Sequence, residues 1–517
     1  MSVDSPAWVR DAVFYQVFPD RFASSLRVPK PGPLEPWSAP PTSSGFKGGD
    51  LLGIVDRLGY LGDLGVTALY LTPIFTSASN HRYHTDDYFS VDPLLGGDAA
   101  LRELIDAVHA RGMQIVLDGV FNHTGRGFWP FHHVVETGAA SPYRGWFHLD
   151  EAVLSGERHL RADPTPDEMA EIDRLRGEGT PSGLASQQVL GYRAWWDLPA
   201  LPKLNIDEPR VREMLFSVAE HWLRYGIDGW RLDVPEEIDD PDFWREFRHR
   251  VRTVNPDAYI VGEIWRVAPE WVSGDRFDAL MNYPLTEAIL GFVTGRHLDR
   301  RILGFHHEYS EHVRPMDAAA FASRLDELHR AYDPDVVAVQ FDLLSSHDTP
   351  RFVTLAGGDR ASLRLATLLQ MTLTGVPCIY YGDEVGMEGG PDPDCRRAFP
   401  LDPATWDADL LGFFRGAVAL RTARPALRRG AQRPVVAAGA CHVHVRTLDR
   451  EAVVVAVNAS EDEARVAVDV PELAGRALAE ERWNGLGGTP AGGEAALDGA
   501  RLTFAVRPRD GVVLATA

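Results

Sequence analysis

Four short runs of this 517-residue chain carry residue types able to move protons or attack carbon. The first is Gly229-Trp230-Arg231-Leu232-Asp233. Side chains alternate along an extended strand, so Arg231 and Asp233 take one face and Leu232 the other. A carboxylate beside a fixed guanidinium is expected to have a depressed pKa and stay ionised, which suits a nucleophile and equally suits a structural ion pair. The second run, Val261-Gly262-Glu263-Ile264-Trp265, ends in a carboxyl with an indole close behind. An apolar, aromatic wall disfavours the charged form and raises the pKa, as a general acid near neutral pH requires. A strand-end Glu capping the next helix would read the same way. Asp118-Gly119-Val120-Phe121-Asn122-His123-Thr124 and Ser345-Ser346-His347-Asp348-Thr349-Pro350-Arg351 each add a carboxylate and a histidine, types that bind hydroxyl groups. One His-Asp pair is ordinarily a local hydrogen bond. Two of them together with Asp233 and Glu263 point to a site, because gathering like charges is costly as mere structure.

Elements that could position these residues recur as a short apolar, β-rich run followed by an amphipathic helix, the pattern of parallel strands with crossover helices. Strands are expected at Val13–Phe18, Val66–Leu71, Gln114–Asp118, Gly229–Asp233, Tyr259–Glu263, Ala279–Asn282, Val337–Leu343 and Pro377–Tyr381. Helices such as Ala99–Ala110, Pro209–Tyr225, Asp242–Val251 and Ala361–Thr372 lie between them. Eight strands in this order predict an α/β fold, a (β/α)8 TIM barrel. An open doubly wound sheet is the competitor, disfavoured because polar residues end many of the strands. From Thr124 to about Ala200 the sequence turns irregular and aromatic, which predicts an inserted subdomain after the third strand. From about Gln432 helices give way to strand signals with Gly-, Asp- and Pro-rich turns, which predicts a C-terminal all-β sandwich. The expected division is 1–123 and 201–430 for the barrel, 124–200 for the insert and 431–517 for the β-domain.

Composition narrows the function further. With 52 Lys and Arg against 74 Asp and Glu, the formal charge is −22. No nucleic acid or anionic membrane surface is expected as a partner. Three scattered cysteines, Cys378, Cys395 and Cys441, are too few for a disulfide framework or a zinc site and fit a reducing compartment. The start, Met1-Ser2-Val3-Asp4-Ser5-Pro6, has no secretory signal pattern, and no apolar run is long enough to span a bilayer, so a cytoplasmic protein is expected. The adjacent His132-His133 lack a third spaced ligand. Asn458-Ala459-Ser460 matches a glycosylation sequon that, without a signal, is read as accidental.

Taken together the motifs resemble the α-amylase superfamily of retaining glycoside hydrolases over essentially the whole length. The resemblance rests on Gly65–Phe75, Asp118–Thr124, Leu201–Asn205, Gly229–Glu237, Val261–Trp265, Ser345–Phe352 and Gly375–Glu384. It implies a catalytic barrel with the insert and β-domain already expected. It also implies Asp233 as nucleophile, Glu263 as general acid/base and Asp348 as the third carboxylate, gripping the sugar at the cleavage point. Arg231, His123 and His347 resemble groups that orient Asp233 and hold sugar hydroxyls, Tyr83 an aromatic platform, and Asp118 a structural partner. With His84, Glu237 and Arg351 these complete the candidate substrate-binding set. Trp195-Trp196, Leu201–Asn205 and Glu237 are similar to the cyclomaltodextrinase, neopullulanase and maltogenic amylase group. Glu236-Glu237 replaces the Lys-His pair of common endo-amylases. The implied partner is an α-glucan oligosaccharide, with an exo-acting α-glucosidase or a glucanotransferase or trehalose-forming isomerase as alternatives. A non-catalytic binding barrel is the rival from another class, disfavoured because all three carboxylates are present.

Three departures from the group stand out. The extra N-terminal β-domain usual there is missing ahead of the strand near Val13, which leaves the oligomeric state open. Ala23–Pro29 replaces an Asn/Asp-rich calcium loop and offers few hard oxygen ligands, so no cofactor or metal is expected, although Asn122 could serve another calcium site. His84 stands where Asp is common. Of the aromatic residues in the insert, most are expected in its core and one to three against substrate.

Overall fold

The β-rich runs form eight short parallel strands: β1 (Phe14–Val17), β2 (Ala68–Leu71), β3 (Gln114–Gly119), β4 (Gly229–Leu232), β5 (Tyr259–Gly262), β6 (Ala279–Leu280), β7 (Phe341–Leu343) and β8 (Val376–Tyr380). The computed structural model describes residues 4–478 and 495–516; Met1, Ser2 and Val3, used above in reading the N-terminus, lie outside the described residues. Neighbouring strands pair in the order β6-β5-β4-β3-β2-β1-β8-β7. A parallel bridge between Met281 and Phe341 joins the two ends, so the sheet closes into a barrel rather than opening into a doubly wound sheet.

Register positions the chemistry. Asp118 on β3 lies opposite Arg231 on β4, and Leu232 lies opposite Gly262 on β5. Continued by one residue, that register sets Asp233 beside Glu263. Two backbone hydrogen bonds hold the strand ends there: Asp233 N–H donates to Gly119 O (3.1 Å) and Glu263 N–H to Leu232 O (3.0 Å). The close approach of β4 to β5 requires Gly229, where a Cβ would stand 2.3 Å from Tyr259 O.

Two expectations need correction. Val337 ends a short helix, Pro334–Val337, started by the Asp333 side chain accepting from Asp335 N–H, and β7 begins only at Phe341. The segment read as irregular contains helices Trp129–Thr137, Pro166–Gly177 and Leu184–Leu190. Pro166–Gly177 is launched by a Thr165/Glu168 capping box, a local signal strong enough to override its weak apolar pattern.

Beyond the barrel, β9 (Ala431–Ala438), β10 (Cys441–Leu448), β11 (Glu451–Asn458) and β15 (Asp510–Ala515) form one antiparallel sheet. β12 (Ala464–Asp469), β13 (Ala496–Asp498) and β14 (Arg501–Val506) form another. Val443, Val445 and Val454 pack between the sheets with Val466, Leu502 and Phe504. On the other face Val453, Val455, Val457 and Val513 join the barrel's core. No helix among the described residues is long and apolar enough to cross a membrane.

Candidate active site

Arg231 is the hub of a buried charge cluster at the ends of β3, β4 and β5. Its Nη1 donates to Asp118 Oδ1 (2.8 Å) and Oδ2 (3.0 Å) and to Asp233 Oδ1 (3.0 Å). Its Nη2 stands 2.9 Å from Glu263 Oε2. One guanidinium therefore faces three carboxylates. Asp118 is further held at Oδ2 by Tyr70 OH (2.6 Å) and Tyr83 OH (2.9 Å).

Asp233 Oδ2, in contrast, is buried and has no hydrogen-bond partner among the described residues. Glu263 Oε2 accepts from Val234 N–H (3.1 Å) and Oε1 from the Trp265 indole N–H (3.2 Å). Val234 adopts a left-handed backbone (φ 35°) rare for a β-branched residue, a strain of the kind that collects at functional sites.

The electrostatics follow from burial and crowding. Burial raises the Glu263 carboxyl to about 7 against the pull of Arg231. Burial, with repulsion from Glu263, Asp118 and Asp348, also pushes Asp233 up, so the depressed value expected from the Arg231-Asp233 spacing is overturned: the cation is shared three ways. The two groups titrate as a pair, and a proton on Glu263 removes one of the charges repelling Asp233. Asp348 differs. Burial alone would raise it, but the close His347 ring, a neutral neighbour at Oδ2, and the charges of Arg396 and Arg231 outweigh that and hold it below the ordinary range. Two acidic groups pushed apart in pKa within one cluster is the arrangement acid and charge-stabilising roles require.

Around this cluster His347 Nε2 lies 3.1 Å from Asp348 Oδ2 and 2.5 Å from Tyr83 OH, while Gln16 Nε2 donates to Nδ1 (2.8 Å). The Tyr83 ring stacks on His347 at 5.2 Å and 5°. Burial pushes His347 and His123 down to about 3, so both rings are neutral donors or acceptors. His123 stacks on Trp195, which stacks on the exposed Trp196, each at 4.8 Å; His123 Nε2 has no partner among the described residues. His84 sits edge-on to His81, pushed down to about 4 by burial. Glu237 accepts from Lys203 Nζ (3.1 Å), tying the β4 end to the strand leaving the insert.

Arg351 does not join this site. It is fully buried, donates to Asp383 Oδ1 and Tyr381 O (both 2.8 Å) and packs over Tyr380, so the expected substrate contact is replaced by a structural one. Two residues not singled out in the sequence do join it. Arg396 donates to His347 O (2.7 Å) and Asp348 Oδ1 (3.3 Å) from a loop with no periodic signal. His306 stacks on Trp265. In the insert Phe131, Phe147 and Tyr192 are core, while Trp129 and Trp196 are exposed. Asn122 Oδ1 accepts from Lys203 Nζ (2.5 Å), an ammonium where a calcium ligand would face a cation, so its surroundings do not fit that metal.

A comparison with protein families matches residues 16–484 to "Alpha amylase, catalytic domain". Among curated proteins, the chain is 41% identical over 470 residues to a cyclomaltodextrinase of Geobacillus thermopakistaniensis, covering 90% of this chain and 72% of that one. It is 38% identical over 519 residues to neopullulanase 2 of Thermoactinomyces vulgaris, covering 99% and 78%. Among solved structures, a debranching enzyme from Nostoc punctiforme superposes with a TM-score of 0.84 at 41% identity, covering 99% of this chain and 100% of that one.

Proposed function

The chain belongs to the α-amylase family of retaining glycoside hydrolases, and from that premise we propose that it opens cyclomaltodextrins and cleaves short malto-oligosaccharides at α-1,4 bonds, and at α-1,6 bonds where present. The names of the cyclomaltodextrinase and neopullulanase relatives support this substrate class. One observation carries the residue roles: a single guanidinium holds Asp233 Oδ1 and Glu263 Oε2 within 3.0 Å while Asp233 Oδ2 stays unpartnered.

In this reading Glu263, protonated near neutral pH, gives its proton to the glycosidic oxygen as the bond breaks. Asp233 Oδ2 attacks the anomeric carbon from the opposite face through an oxocarbenium-like transition state. Arg231 keeps Oδ1 occupied, so the free oxygen is the one aimed at carbon. The glycosyl-enzyme ester then meets water, whose proton Glu263 takes back, and sugar leaves with its α configuration retained. Asp348, held charged, grips hydroxyls of the same ring with His347, and Tyr83 and His123 bound it as platform and donor. The cytoplasm is the proposed location, supported by three buried cysteines that are all free thiols.

The test is proton NMR of the first minutes of turnover on β-cyclodextrin and maltotriose. The expected new reducing ends are α-anomers, relaxing later to the mixture. β-anomers, or no turnover of either sugar, would refute the proposal.

A further inference from the structure

The segment after the helix Tyr283–Val293 reaches back to the charge cluster. It runs through the short helices Arg300–Leu303 and His307–His312, the first capped by Asp299, and returns at Met316. His312 Nδ1 lies 3.5 Å from Glu287 Oε1 on the helix beneath it, and Met316 N–H donates to Gly291 O (2.9 Å), which ties the segment to that helix. Its turn delivers His306 onto the indole of Trp265, at 5.2 Å and 30° between ring planes. Tyr283 also stacks on that indole, at 3.5 Å and 9°. Tyr309 closes its edge. Trp265 is thus clamped, and its N–H is the donor to Glu263 Oε1.

His306 also fixes its own orientation. Its Nδ1 accepts from Tyr309 N–H (3.3 Å), so in the neutral ring Nε2 carries the proton. One imidazole therefore caps the helix His307–His312 and stacks on the support of the acid/base. A chain of contacts runs Glu263, Trp265, His306.

We propose that His306 is a positioning residue for the hydrolase: it locks the Trp265 indole so that its N–H holds Glu263 where the leaving oxygen is protonated. The proposal rests on the function given above. Acid catalysis contributes most where the leaving group is a sugar alkoxide and least where it is an already stable phenolate. The two substrates therefore separate a misplaced acid from general damage.

The experiment compares kcat/KM, which reports the bond-breaking half of the reaction, for maltotriose and 4-nitrophenyl α-maltoside. His306→Ala is expected to lose about tenfold on maltotriose and under about threefold on the aryl maltoside, a gap that follows from the share of the barrier carried by proton donation. His306→Phe keeps the stacked ring and is expected to stay within about threefold of wild type on maltotriose, since the clamp is retained. Equal losses on both substrates in His306→Ala, whatever the melting temperature, overturn the proposal, as does a His306→Ala enzyme undiminished on maltotriose or a His306→Phe enzyme that loses as much on maltotriose as His306→Ala. A wild-type protein inert towards both substrates would instead count against the function itself.

Discussion

Glu263 sets how the site responds to pH. Burial raises its carboxyl to about 7, and the protonated form is the acid, so activity is lost as pH rises through that value; on the acid side it is bounded by Asp233, which is itself pushed up and must be ionised to attack. kcat/KM on maltotriose is expected to fall progressively above about pH 7. In Glu263→Gln it is expected to fall by about 10²–10⁴ and to lose that alkaline limb, since the amide has no proton to give. A wild-type profile flat from pH 6 to 9 would contradict the assignment. The members of this cluster were legible in sequence where they close a strand: Asp118, Arg231, Asp233 and Glu263 sit at predictable ends, and alternation put Arg231 and Asp233 on one face. The Asp233 shift was not legible, because two residues two apart say nothing about Asp118 and Glu263 drawing on the same guanidinium. Arg351 was misread for a related reason: being next to a motif does not tell which way a long side chain turns, and Asp383 turned it away.

Strands β4 and β5 fix the spacing of Asp233 and Glu263, and Gly229 is a point of close approach between them. Gly229→Ala would drive a Cβ to 2.3 Å from Tyr259 O, backbone against backbone, so β4 and β5 must part. A cost of roughly 1–3 kcal/mol is expected from such overpacking, seen as a lower melting temperature, together with at least a tenfold loss of kcat as Asp233 shifts against Glu263. Gly59→Ala, within the helix Leu51–Leu64 and with nothing within 4 Å, is the control expected to keep full activity. A Gly229→Ala enzyme as active as that control would show that the strand spacing does not set the site. Barrel strands were readable because each is a short apolar run followed by a helix. The helices of the insert were not: Pro166–Gly177 has only a narrow apolar stripe, Met169, Ile172 and Leu175, behind its capping box. Nor was the turn carrying His306, whose place is decided by an indole distant in sequence.

Across the whole molecule one continuous core runs from the barrel into the inner face of the C-terminal sheet. Arg446 of β10 strengthens the seam by donating to Thr372 O (2.7 Å), the last carbonyl of the helix Arg360–Thr372. The barrel's closure then brings β3, β4, β5 and the loops after β7 and β8 to one end, where Arg231 meets Asp118, Asp233 and Glu263 and Arg396 meets Asp348 and Asp392. Chain order and motif order were enough to anticipate that convergence; the loop cation Arg396 was not, since it reaches the cluster from a segment without a pattern. Everything in the account depends on Asp233 being the group that bonds to sugar. Incubation with a 5-fluoro α-glycosyl fluoride of glucose or maltose, which slows release of the covalent intermediate, followed by peptide mass spectrometry, tests it directly. The expected result is one glycosyl label, on the peptide and side chain of Asp233. A label on Glu263, Asp348 or any other residue, or none on an enzyme that turns over maltotriose, would contradict it.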